Sequence, residues 1–78
     1  MQDIYTLNQL KKNHQAFIVD FLDTQLADKL LEMGIFPGEK ISVKQKSIFG
    51  GTMIIQSNTI SLVLRKEDAQ YIHISSVK

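Results

Sequence analysis

The sequence predicts a mainly β protein: a small barrel of short strands with one inserted α-helix and a short helical turn near the amino terminus. Three observations carry this expectation. Apolar and polar residues alternate in several short runs, the pattern of strands with one wet face. Turn residues punctuate those runs at close intervals, at Pro37-Gly38, Gly50-Gly51 and Ser57-Asn58. Helical spacing of apolar residues recurs in one substantial stretch, Leu26 to Met33. A chain of 78 residues is expected to form a single domain over residues 1–78. At that size only about 60% of the unfolded surface is hidden on folding, so little apolar area can be spared.

Each element has a local cause. Thr6-Leu7-Asn8-Gln9 has the form of a capping box, with Leu7 and Leu10 on one face to plug an end of the core. Gln15 to Phe21 is rich in β-branched and aromatic residues and reads as a strand buried partly on both faces, with Phe17 and Phe21 expected to pack. Asp23 or Thr24 caps the helix, whose buried stripe is expected to be Leu26, Leu30 and Met33. Gly34 ends it, because glycine accepts the left-handed conformation just past a last turn. Phe36-Pro37-Gly38-Glu39 reads as a type II β-turn, with Phe36 also expected to pack.

The remainder is strand and turn. Ile41 and Val43 alternate with Ser42 and Lys44, and a loop from Ser47 to Thr52 carries the glycine pair. Met53 to Gln56 leads through Ser57-Asn58 into a run where Ile60, Leu62 and Leu64 alternate with Ser61, Val63 and Arg65. Lys66-Glu67-Asp68 turns the chain into a last strand, where Ile72 and Ile74 alternate with Tyr71, His73 and Ser75.

Composition narrows function. The chain has no cysteine, which removes disulfides, iron–sulfur clusters and thiol chemistry together. Nine Lys and Arg stand against eight Asp and Glu, a balance unlike that of a dedicated nucleic-acid binder. Lys40, Lys44 and Lys46 fall on one side of a strand, and lysines that guard a strand from edge pairing account for them. No apolar run approaches the roughly 18 residues of a membrane span, and Met1-Gln2-Asp3-Ile4 lacks the start of a secretory signal. The protein is therefore expected in the cytoplasm, without direct membrane insertion.

Neither GxxxxGK[ST] nor GxGxxG occurs, and His14 and His73 lie in no recognisable constellation with Ser and Asp. No catalytic residue, cofactor or metal ligand is assigned. Asp28 and Glu32 share a helix face below Asp20 and Asp23, but a solvated acidic face explains them.

The run Leu30-Leu31-Glu32-Met33-Gly34-Ile35-Phe36-Pro37-Gly38 resembles the "RLxxMGIxPG" core of the FeoA family, with Lys29 where Arg is usual. Leu64-Arg65-Lys66-Glu67-Asp68-Ala69 resembles its "LRxxxA" signature, and Thr6 to Lys11 is similar to its "TLxxLK" opening. Asn13 stands where a glycine often closes that opening turn, and Asn also tolerates a positive φ. The resemblance implies an SH3-like barrel, related to the C-terminal domain of iron-dependent repressors of the DtxR type. It also implies a non-enzymatic accessory of ferrous iron transport, linked to transition metals at family level. Its expected partner is the cytoplasmic part of the membrane GTPase and permease FeoB.

A regulatory barrel of a metal-dependent transcriptional regulator and a small RNA-binding barrel are the alternatives. The first is disfavoured because the chain holds no DNA-reading helical domain. Four residues are expected at the partner surface. Leu31 lies on the flank of the helix stripe, Ile48 and Phe49 sit in the glycine-bounded loop, and Arg65 either pairs with Glu67 or Asp68 or faces a partner.

Overall fold

The computed structural model describes residues 3–47 and 50–76. The strands are β1 (Ile4–Thr6), β2 (Gln15–Phe21), β3 (Lys40–Lys46), β4 (Thr52–Gln56), β5 (Ser61–Arg65) and β6 (Ile72–Ser76). Helix α1 (Thr24–Glu32) joins β2 to β3, and the one-turn helix α2 (Lys66–Ala69) joins β5 to β6. A 3-10 turn, Leu7–Gln9, follows β1. All pairings are antiparallel, in the order β1-β6-β2-β3-β4-β5.

The core is the inward row of each strand closed by the helices. Ala16, Ile18, Ile41, Val43, Met53, Ile55, Leu62, Leu64, Ile72 and Ile74 meet Leu26 and Leu30 of α1 and Ala69 of α2. Leu7 and Leu10 close one end as expected, both buried. Gln9 Oε1 accepts from the Thr6 backbone N–H at 3.0 Å, which holds the 3-10 turn against the end of β1.

Strand β1 is a three-residue element that the sequence pattern did not signal. It exists through tertiary pairing, Ile4 opposite Ser75 and Thr6 opposite His73. That pairing makes β6 an interior strand. Ser75, expected on an outward row, is instead buried, flanked in register by Ile4 on β1 and Phe17 on β2. Directly opposed side chains stand about 4.5–5.5 Å apart at Cβ, so two large neighbours cover a serine between them.

Other expectations need correction. Met33 is not core: α1 ends at Glu32, and Met33 is the cap residue, 38% exposed. Ile35 fills that place, because the chain reverses at Gly34 (φ 85°) and brings the Ile35 N–H to Leu30 O at 2.9 Å. With Gly34 N–H donating to Leu31 O at 3.0 Å, this is a complete Schellman closure. Phe17 and Phe36 are also exposed, Phe17 because it lies on the outer row of β2 and Phe36 because it opens a turn. Lys66–Asp68 is helical where only a turn was expected.

Two β-bulges complete the correction. Ile18 and Asp20 face successive residues of β6, leaving Val19 as the extra residue. Val43 and Gln45 likewise face Ile55 and Ile54, so Lys44 is extra in β3. Beyond that bulge the alternation inverts, and Lys46 lies opposite the buried Met53 rather than beside Lys40 and Lys44. Its ammonium donates to Asn8 O at 3.0 Å and Leu10 O at 3.1 Å, sealing the end of the core that Leu7 and Leu10 plug.

Candidate interaction surface

Helix α1 and the turn after it form one rigid unit. Asp23 caps the helix, its side chain accepting from the Leu26 N–H at 2.9 Å. The turn Phe36-Pro37-Gly38-Glu39 closes through Glu39 N–H to Phe36 O at 3.2 Å, with Gly38 at φ 94°. It is docked on β2 from both sides: Gly38 N–H donates to Ile18 O at 2.7 Å, and Ile18 N–H donates to Glu39 O at 2.9 Å. Leu26, Leu30 and Ile35 of this unit are buried, so its remaining apolar residues have no place inside.

Three of them cluster in sequence where the helix ends. Leu31 is 40% exposed, Met33 38% and Phe36 49%. Leu22, just before the cap, is also exposed. Leu31 is thus on the surface, as its position on the stripe flank allowed. Sequence reading missed Met33 and Phe36 as surface residues. The signals were available: a helix closed by Gly34 excludes the residue before it from a longer stripe, and a residue preceding Pro in a turn is a poor core candidate.

Arg65 stands at the end of β5, opposite Thr52, with its guanidinium 3.7 Å from Glu67 Oε1. Both side chains are largely solvated, so the pair fixes little. Arg65 borders a shallow cleft with Gly50, Gly51 and Thr52, at the end of the glycine loop. Leu31 lines neither that cleft nor the neighbouring one, which runs from Arg65 to Lys29 and Asp68. The structure therefore brings Arg65 beside Gly50 and Gly51, and Leu31 shares neither of these clefts with it. Ile48 and Phe49 lie outside the described residues.

The polar groups first weighed for metal binding are dispersed. Asp23 is spent on the helix cap, and Asp20 Oδ1 lies 2.9 Å from His73 Nδ1 across the β2–β6 pair. Among the described residues no three His, Asp or Glu side chains converge on one point. No helix of the described chain is long and apolar enough to cross a membrane.

The six-stranded order with its inserted helix is that of an SH3-like barrel. The FeoA domain family matches residues 5–76, and the chain belongs to that family. Among solved structures, the FeoA-like protein of Clostridium acetobutylicum superposes with a TM-score of 0.86 at 23% identity, over 100% of this chain and 92% of that one. The zinc complex of FeoA from Stenotrophomonas maltophilia, described as an SH3 domain protein, gives 0.75 at 24% identity, over 88% and 87%. A manganese-dependent transcriptional repressor gives 0.88 at 16% identity, over 99% of this chain but 44% of the repressor. No curated protein matches the chain closely in sequence.

Proposed function

We propose that the protein is a non-enzymatic, cytoplasmic accessory of ferrous iron uptake that binds and modulates the cytoplasmic part of a FeoB-type membrane GTPase and permease. The observation that carries this reading is the family match over residues 5–76, nearly the whole chain. Proteins of this family are described as iron uptake and iron(II) transport proteins. The chain offers no nucleotide loop of its own, so GTP-linked steps belong to the partner. The exposed apolar residues at and after the end of α1, Leu31 with Met33 and Phe36, suit it to protein contact, and Arg65 beside Gly50 and Gly51 is proposed at a second contact.

The likeness to the repressor covers the barrel alone and leaves more than half of that protein without a counterpart. A tagged copy recovered from native membranes, with the captured proteins identified by mass spectrometry, separates the readings. The FeoB-type transporter is expected as the principal partner. Enrichment of a metal-dependent repressor or of RNA in its place would overturn the reading.

A further inference from the structure

We propose that the outer face of β2, β3 and β4 is a docking surface for an acidic, extended peptide segment of a protein partner. The inference goes beyond the proposed function and does not depend on it. It begins with the strand register. Gln15, Ser42, Gln56 and Ser61 oppose one another in turn across β2, β3, β4 and β5, which sets uncharged hydrogen-bonding side chains in a row on the side away from the core. Lys40 and Lys44 stand on either side of Ser42 along β3. Both lysines line one cleft with Gln15, Ser42, Gln56 and Asn58.

The charge of that cleft is one-signed. No acidic residue lines it. Three acids elsewhere have partners of their own: Asp23 caps α1, Asp20 lies against His73, and Glu67 lies against Arg65. Among the described residues neither Lys40 nor Lys44 makes an ion pair, whereas Lys46, turned inward by the bulge, is held by two carbonyls. The surface is thus a pair of unneutralised ammonium groups with amides and hydroxyls between them.

Those neutral groups each donate and accept, so they match the alternating N–H and C=O groups of an extended main chain. Residues four apart along a strand are separated by about 13 Å, so Lys40 and Lys44 match carboxylates at a similar spacing in the bound segment. A single-stranded nucleic acid fits less well. The cleft lining contains no aromatic side chain, Phe17 opposite Lys40 not being among the lining residues, and net charge is +1.

The test is a titration of isotope-labelled protein, followed by amide resonances, with a short peptide carrying two glutamates four residues apart. Saturable shifts are expected at Gln15, Ser42 and Gln56, lost with a glutamine version of the peptide and weakened by salt. The double variant Lys40→Gln/Lys44→Gln should bind about tenfold or more weakly. Lys44→Gln alone is measured beside it, so that a folding defect in the double variant does not decide the result. The control Lys11→Gln/Lys12→Gln, which removes the same charge elsewhere, should bind almost as well as the parent. The proposal is overturned by absence of saturable shifts, by an equal loss in the control, or by tighter binding of an oligonucleotide of matched charge.

Discussion

Gly38 shows how one residue sets the geometry of the helix–turn unit. Its φ of 94° is closed to side chains that branch at Cβ, yet a Cβ built there meets no atom within 4 Å. The cost of substitution is therefore backbone strain alone. Gly38→Val should destabilise the protein by more than ~1 kcal/mol, read as a lower urea midpoint with an unchanged slope. An unaltered midpoint would show that the turn relaxes freely despite its two hydrogen bonds to Ile18. This turn was fully legible, since Pro-Gly at its centre dictates the dihedrals. Met33 was not. Its place on the apolar stripe assumed a helix running through it, whereas the Gly34 closure ends α1 at Glu32 and hands the core position to Ile35.

At the scale of the element, alternation identified β2 through β6, and caps identified α1, because each of those signals is local. The two bulges were hidden, since an extra residue in a strand shows only against its partner's register. Strand β1 was hidden for the same reason: three residues have no periodicity to read. The consequence is clearest for Lys46, which sequence spacing grouped with Lys40 and Lys44. The bulge at Lys44 sends Lys46 to the carbonyls of Asn8 and Leu10 instead. Lys46→Met keeps the apolar stem but removes both charged hydrogen bonds, and a loss of about 1–3 kcal/mol is expected. Chemical denaturation measures it. A midpoint equal to that of the parent would mean that water serves those carbonyls equally well.

Across the whole molecule, the sheet order separates two kinds of surface. One is the apolar end of α1, where Leu31, Met33 and Phe36 are left over after Leu26, Leu30 and Ile35 fill the core. The other is the polar outer face of β2 to β4 with its two lysines. Of the residues expected at a partner surface, Leu31 and Arg65 are both exposed and line no common cleft among those bordering Arg65. Fold and family were legible because the helix–turn block and the segment from Leu64 to Ala69 encode local geometry. The contact surface was less so, because exposure depends on which strands become neighbours.

The central claim is that this barrel binds the cytoplasmic part of a FeoB-type transporter through residues its own core does not require. Calorimetric titration of the protein against that cytoplasmic part, run in parallel for the parent and Leu31→Ser, tests it most directly. Saturable binding is expected for the parent. The variant should melt close to the parent, because Leu31 is already 40% exposed, and lose about tenfold or more in affinity. Absence of binding by the parent, or a Leu31→Ser variant that binds as tightly as the parent, would contradict the account.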